Sequence, residues 1–190
     1  SPVCGSVATA ACDATVEPLA AGWDASGLVA GRAAAAVRTV LFAVDALAAT
    51  AEEAIAEGAQ LLITHHPLLL RGAQFIPDST YKGEVLHTLI EGGCGLLGAH
   101  TNADAAVEGV NEALCDAIGL IDREPLTEAQ TQVLDGQEHA VGPGRIGTLP
   151  EELTLKELAE RLAAALPPTA GGLRIAGRAD QPIRRVALCG

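Results

Sequence analysis

Two adjacent histidines, His65 and His66, follow the apolar run LLIT and come directly before Pro67. Neighbouring side chains of a strand point to opposite faces, so consecutive imidazoles reach one site only where the strand ends. Pro67 favours an extended conformation at His66 and cannot donate to a sheet ladder. The sequence therefore predicts that both rings lie at a free strand end, where imidazoles can bind metal ions.

A third histidine and one acid also follow apolar runs, and a second acid lies close by. Asp45 follows the apolar run VLFAV, His100 follows GLLGA, and Asp104 comes four residues after His100. Imidazole together with carboxylate suits Zn, Fe, Mn, Co or Ni. A carboxylate such as Asp104 can bridge two ions that activate water for hydrolysis. These residues are therefore candidates for a site that holds two divalent metal ions.

The same residues also have structural interpretations. A histidine pair can be a hydrogen-bonded loop corner, and Asp45 fits a turn or helix-capping residue. His100 could equally orient Asp104 or a bound water. Two further histidines have simpler interpretations, because His87 lies among apolar helical positions and His139 lies in a polar stretch. We expect His87 to be structural and His139 to be solvated.

Three other residues are expected to have no role in the site. Glu108 and Glu112 are one helical turn apart, which is typical of a solvated helix face. Trp23, the only tryptophan, fits a core or interface anchor better than a cofactor platform.

The segments around the candidates alternate in type. Apolar runs that predict strands are followed by segments with helical spacing, and Thr50 and Glu53 match a helix capping box. The alternation predicts an α/β fold with a parallel or mixed sheet flanked by helices, in which ligands bind beyond the carboxyl ends of the strands. The strands are predicted at 37–44, 60–66 and 94–100, and the helices at 50–58, 82–93 and 105–120.

The chain is predicted to contain two domains. Residues 1–121 form the α/β domain with the candidate metal site, and the polar, turn-rich stretch 122–143 reads as a connection. Residues 144–190 predict the start of a second, smaller α/β domain that is incomplete in this chain. Its predicted elements are the strands GRIGTL, LRIAG and RRVALCG and a helix with a capping box at Thr154 and Glu157.

Composition narrows the class of protein. Acids outnumber bases 24 to 12, giving a net charge of -12 that argues against nucleic acid and anionic membranes as partners. No apolar run approaches the ~20 residues that span a bilayer. Five cysteines without a C-x-x-C pair predict reduced thiols in a cytoplasmic protein. They are Cys4, Cys12, Cys94, Cys115 and Cys189.

Several motifs resemble those of one family. WDASGL at 23–28, the T-H-H-P segment at 57–72, the A-H-T-N-x-D segment at 98–114 and GRIGTL at 144–149 are similar, in this order, to the Nif-three-like dinuclear-metal-centre proteins. That family is often labelled type-two GTP cyclohydrolase I. One departure is Ala25, which stands where the family's W-D-N-x-G-L motif has asparagine.

The resemblance implies two-domain α/β subunits that assemble as a toroidal homohexamer, each subunit holding two divalent metals. It implies that His65 and His66 are ligands and that Asp104 is the bridging carboxylate. Two further ligands, a histidine and a glutamate spaced H-x-x-x-E, are expected from a C-terminal segment that lies beyond residue 190.

Two functions follow as hypotheses. The first is a metal-dependent hydrolase whose metal-activated water attacks a nucleotide-like or phosphorylated small molecule, with His100 transferring a proton. The chain has no G-x-x-x-x-G-K-[ST] loop for phosphates, so GTP is only a label. The second is a non-catalytic metal-binding scaffold or metal-delivery protein that forms a ring. A ring around nucleic acid is opposed by the net charge.

Overall fold

The computed structural model describes residues 5–6, 19–127, 129–134 and 136–190. Of the five cysteines, Cys4 and Cys12 lie outside the described residues, while Cys94, Cys115 and Cys189 carry free thiols. The chain divides into two compact units, 1–103 and 104–190, which are described separately. The predicted first domain extends to residue 121, so the division between units falls earlier than the predicted boundary.

The first unit is built on a four-stranded mixed sheet. The strands lie in the order β2 (Gly27–Ala30), β6 (Gly95–Gly98), β5 (Leu61–Thr64) and β4 (Val40–Ala43), with β4, β5 and β6 parallel and β2 antiparallel at the edge. This arrangement confirms the predicted α/β class. The elements are β1 Gly5–Ser6, β2 Gly27–Ala30, β3 Ala36–Val37, β4 Val40–Ala43, α1 Ala48–Ala56, β5 Leu61–Thr64, α2 Tyr81–Glu91, β6 Gly95–Gly98 and α3 Thr101–Ala105, which crosses the boundary between the units.

Alternation along β5 directs its side chains to two separate cores. Leu62 packs with Ala54 of α1 and Leu89 of α2 on one face, whereas Leu61 and Ile63 pack on the other. Every residue of β5 and β6 is buried, as expected for central parallel strands. The buried strands therefore form a rigid base for the residues that follow them.

The N-cap of helix α1 is three residues before Thr50, the N-cap that the capping box predicts. Leu47 occupies the N-cap, and its backbone N–H donates to the hydroxyl of Thr50, the third helical residue, at 2.8 Å. The predicted start at Thr50 is therefore wrong. The threonine still satisfies an N-terminal donor, but it does so from inside the helix.

The second unit pairs three antiparallel strands and adds a hairpin. The long strand β10 (Arg145–Thr154) lies between β11 (Pro182–Leu188) and β7 (Ile121–Pro125), and β8 (Gln130–Leu134) pairs with β9 (Gln137–Val141). Its core contains Cys115, Ile118, Leu120, Leu149 and Leu158. The elements are α4 Val110–Ile118, β7 Ile121–Pro125, β8 Gln130–Leu134, β9 Gln137–Val141, β10 Arg145–Thr154, α5 Leu155–Ala165 and β11 Pro182–Leu188.

Two predictions for this half differ from the structure. The stretch 122–143 contains most of β7 and all of β8 and β9. Their residues are mostly exposed and polar, so they lack the apolar alternation by which a strand is predicted. The segment 173–177 is not a strand, since Leu173 and Ile175 are exposed and Gly177 has φ +137. The capping box at Thr154 is confirmed: its backbone N–H donates to Glu157 and its hydroxyl accepts from the Glu157 N–H.

Candidate functional site

Three predicted site residues come together at the carboxyl ends of β5 and β6. The backbone N–H of His65 donates to the carbonyl of Ala43, the last residue of β4, at 3.1 Å, and that of His66 donates to the carbonyl of Val44 at 2.9 Å, so the parallel pairing continues. The ring of His65 lies 5.3 Å from that of His66 and 5.2 Å from that of His100, centroid to centroid. His66 and His100 are 6.0 Å apart. The structure thus forms a histidine cluster, defined by these three residues.

Each ring of the histidine cluster is held by an oxygen on its Nδ1 side. Nδ1 of His65 lies 2.9 Å from the carbonyl of Ala99. Nδ1 of His66 lies 2.7 Å from Asp45, and Nδ1 of His100 lies 2.8 Å from Asp24. Because carbonyl and carboxylate oxygens accept, these partners assign a hydrogen to Nδ1, and in the neutral ring the lone pair is then on Nε2. An imidazole in this form can bind a metal or accept a proton.

Asp24 is a site residue that the sequence motifs contain but did not identify. Its side chain is fully buried and accepts from the N–H of Ala25, the hydroxyl of Ser26, the N–H and hydroxyl of Thr101, and His100. Burial alone would raise its pKa, but the bonds from Ser26, Thr101 and His100 outweigh burial and hold the pKa well below its usual range. Asp24 is therefore an ionised acceptor that orients His100. The D-x-S spacing in WDASGL is the only local signal for it.

Asp45 also orients a ring of the cluster. Its carboxylate accepts from His66, with both side chains about half exposed, while its backbone carbonyl accepts from the hydroxyl of Thr50 at 3.0 Å. Asp45 therefore has the predicted turn role and also contacts the histidine cluster. A polar residue after an apolar strand was the signal for this position.

Asp104 is the first residue of the second unit and is buried. The amide of Asn111 donates to its carbonyl at 2.6 Å, and Arg145 donates to the carbonyl of Ala105 at 3.1 Å. These contacts hold the backbone around Asp104. Its role as a metal ligand stays a prediction.

The donor chemistry of the cluster fits a divalent metal, although the donors are not assembled around one point. Within the described ranges, no group of three or more His, Cys, Asp or Glu side chains is placed to hold an ion. The amide nitrogen of Asn102, next to His100, is buried and has no hydrogen-bond partner among the described residues. An amide N–H donates hydrogen bonds and does not bind a metal ion, so this group does not complete a metal site. Binding of a metal ion would require the side chains to move and additional ligand atoms.

The two remaining described histidines are in different settings. His87 lies within α2 and its Nε2 is 3.1 Å from the carbonyl of Ile76, which supports the structural interpretation. His139 lies in β9 and is half-buried, rather than in a solvated connection. It lines a cavity of about 560 Å³ together with Glu112 and Arg145.

A second charged network lies in the second unit. The buried guanidinium of Arg145 donates to Glu112 at 2.6 Å and to four backbone carbonyls, those of Gly142, Gly144, Ala105 and Ala106. Arg123 also pairs with Glu112, at 3.0 Å. Burial raises the pKa of Glu112, but the two arginines lower it to below its ordinary value. The expectation that Glu112 is simply solvated is wrong.

Trp23 is not a core anchor in this chain. Its side chain is 66% exposed, and its ring lies 6.0 Å from the ring of His100 at an interplanar angle of 82°. An aromatic side chain therefore borders the histidine cluster while keeping most of its surface open.

The fold and the cluster define an α/β protein whose polar site lies at the ends of parallel strands. The chain belongs to the Duf34/NIF3 (NGG1p interacting factor 3) family, which matches residues 9–190. A GTP cyclohydrolase 1 type 2 homolog from Streptomyces coelicolor is 46% identical over 168 residues, covering 88% of this chain and 58% of the relative. A homolog of the same name from Mycobacterium bovis is 30% identical over 272 residues, covering 90% and 71%.

Solved structures show the same fold. A Bacillus cereus protein related to NIF3 has a TM-score of 0.83 at 24% identity, covering 97% of this chain and 75% of that protein. Reduced HcgD from Methanocaldococcus jannaschii has a TM-score of 0.70 at 25% identity, covering 86% and 61%. The chain spans 58% of the length of the Streptomyces relative. Among the described residues, no helix has the length and apolar character to cross a bilayer.

Proposed function

We propose that this chain carries the metal-binding part of a dinuclear, metal-dependent hydrolase that acts on a nucleotide-like or phosphorylated small molecule. The observation that supports it is the histidine cluster, in which an oxygen holds each Nδ1 and the lone pair is assigned to Nε2. His65 and His66 are the proposed metal ligands, and Asp104 is kept as the bridging carboxylate because the resemblance implies it. The family match and the name shared by its relatives support a cyclohydrolase-type reaction.

The chain's own residues divide the work between binding and proton transfer. Divalent ions in such a site supply Lewis acidity and make water reactive at neutral pH. His100 accepts a proton at Nε2 and returns it to the leaving group. The ionised Asp24 keeps the His100 ring in one orientation and stabilises its protonated form, as an orienting carboxylate does for a catalytic histidine.

A second candidate function is delivery or storage of a metal ion. The same histidine cluster supports it, because imidazoles that bind a metal ion need not take part in a reaction. For either function we propose a homohexameric ring in the cytoplasm, which the resemblance implies.

The first test is metal content, measured by plasma mass spectrometry on purified protein. We expect His65→Ala and His66→Ala each to lose most of the bound metal. His87→Ala is the matched control, since His87 is held by a backbone carbonyl outside the cluster, and it should retain the metal. Protein that binds no divalent metal under any loading condition would contradict both functions.

Turnover separates the two functions. Metal-loaded protein is assayed for opening of the GTP ring and for hydrolysis of a panel of phosphoesters. A hydrolase should lose most of its kcat in His100→Ala while its metal content stays unchanged. Bound metal without turnover, released rapidly to a chelator, would instead support delivery.

A further inference from the structure

We propose that Trp23 is the stacking platform for a planar heteroaromatic ring of the substrate, such as a nucleobase. The inference rests on the proposed function and narrows it, because it favours a nucleotide-like substrate over a simple phosphoester. Its basis is the position of Trp23 beside His100 together with its exposure.

The ring geometry leaves stacking surface on the indole. Trp23 and His100 are nearly perpendicular, at 82°, so an edge of one ring meets the face of the other. In that arrangement His100 covers at most one face of the indole, and the side chain remains 66% exposed. The indole is in contact with the histidine cluster through His100, whose own ring lies 5.2 Å from that of His65.

The exposed indole is held by a firmly bonded backbone. The N–H of Asp24 donates to the carbonyl of Ala21, and the N–H of Ala21 donates to the hydroxyl of Thr101, both at 2.9 Å. The buried Asp24 carboxylate adds its bonds to Ser26 and Thr101. Asp24, which follows Trp23, and Ala21, which lies two residues before it, are thus held by hydrogen bonds, so the backbone that carries the indole is ordered before ligand binds and binding costs less entropy.

The site combines an apolar ring with polar groups, which is typical of small-molecule sites. Stacking of a base on an aromatic side chain is tolerant of base identity, because every base has a flat face. We therefore expect purine and pyrimidine nucleotides to bind, with selectivity between them supplied elsewhere. A sugar phosphate without a base lacks the stacking contact and should bind more weakly.

Intrinsic fluorescence tests the proposal directly, because Trp23 is the only tryptophan in the chain. Guanosine 5′-monophosphate is titrated with excitation at the red edge of tryptophan absorption, where the nucleotide does not absorb. We expect saturable quenching with guanosine 5′-monophosphate and none with ribose 5-phosphate. No saturable change with guanosine, adenosine or cytidine monophosphate up to millimolar concentration would overturn the proposal.

Calorimetry on variants provides a measurement that does not depend on fluorescence. Trp23→Leu should bind guanosine 5′-monophosphate roughly tenfold or more weakly, and Trp23→Phe should keep part of the affinity. Phe42→Leu is the matched control, since Phe42 is 71% exposed and loses the same kind of surface. Equal loss in Phe42→Leu, or no loss in Trp23→Leu, would overturn the proposal.

The platform and the hydrolase can fail separately. If nucleotide binding depends on Trp23 but the protein shows no turnover, the result supports the stacking role of Trp23 and contradicts the hydrolase proposal. Turnover of nucleotides with an unchanged KM in Trp23→Leu removes the platform and leaves the hydrolase. A change of oligomer mass in Trp23→Leu without a change in nucleotide affinity would show that Trp23 is an interface anchor, and would also overturn the platform.

Discussion

The two units each contain a network of charged and polar side chains, and the networks differ in how their hydrogen bonds are used. In the second unit Arg145 donates five hydrogen bonds, which is as many as a guanidinium has N–H groups. In the first unit each imidazole of the histidine cluster has Nδ1 at an oxygen, so Nε2 is the basic nitrogen of the neutral ring.

The difference separates a structural network from a functional one. A buried polar side chain whose N–H groups all donate to acceptors within the protein stabilises the fold, and it has no donor left for a ligand. Rings that are oriented on one side and basic on the other are prepared for a ligand or a proton. Asp24 belongs to both kinds, because it is fully bonded itself and orients His100.

The largest effect on stability is expected from a substitution of Arg145, whose N–H groups all donate hydrogen bonds within the second unit. Arg145→Leu leaves four backbone carbonyls without the donor that the buried guanidinium supplies, and it leaves Glu112 with Arg123 as its remaining partner, so the free energy of unfolding should fall by about 3–5 kcal/mol. Chemical denaturation measures it. Arg178→Ala, which removes an exposed arginine paired with Asp180, is the control and should change nothing measurable. Equal stability of Arg145→Leu and the parent protein would contradict the structural assignment.

The next effect comes from the carboxylate that supports the histidine cluster. Asp24→Asn keeps the shape of the side chain but places an amide NH₂ where donors from Ser26 and Thr101 now point. We expect a loss on the order of 2–3 kcal/mol in the free energy of unfolding, because hydrogen bonds to a buried charge are replaced. Asp180→Asn, in an exposed pair, is the control. An unchanged free energy of unfolding at neutral pH would show that Asp24 is not an ionised acceptor.

Acid provides a smaller and graded test of the same carboxylate. The pKa of Asp24 is lowered in the folded protein, whereas an unfolded aspartate has a pKa of about 3.9. The stabilisation is therefore complete above about pH 4 and is lost as the pH falls toward the folded pKa, by at most about 1.4 kcal/mol per pH unit. Unfolding measured between neutral pH and pH 3 should show a flatter acid limb for Asp24→Asn than for the parent protein. Identical acid limbs would contradict the lowered pKa.

The sequence was informative where a local pattern carried the signal. Apolar runs that end in a polar residue located the ends of β5 and β6, so His65, His66 and His100 were found together before the structure showed their contacts. The capping box at Thr154 was found in the same way, because its partner is three residues away. The alternation of predicted strands and helices also indicates the α/β class, because each element has its own local hydrophobic period.

The sequence was uninformative where partners are distant or polar. Asp24 and His100 are 76 residues apart, and no periodicity links them. Glu112 and Arg145 are 33 residues apart, so the spacing of Glu108 and Glu112 along the chain predicts only a solvated helix face. The hairpin of β8 and β9 is largely exposed and has little apolar alternation, so it was predicted as a connection.

The smallest effect on stability is expected within the histidine cluster itself. His66 and Asp45 are each about half exposed, and such pairs contribute little to folding. His66→Ala should therefore change the free energy of unfolding by less than about 0.5 kcal/mol in metal-free protein, while it removes most of the bound metal. Denaturation in chelator and metal analysis on the same sample measure both quantities. A stability loss comparable to that of Arg145→Leu would place His66 in the structural network, and the contrast between the two units would no longer distinguish structure from function.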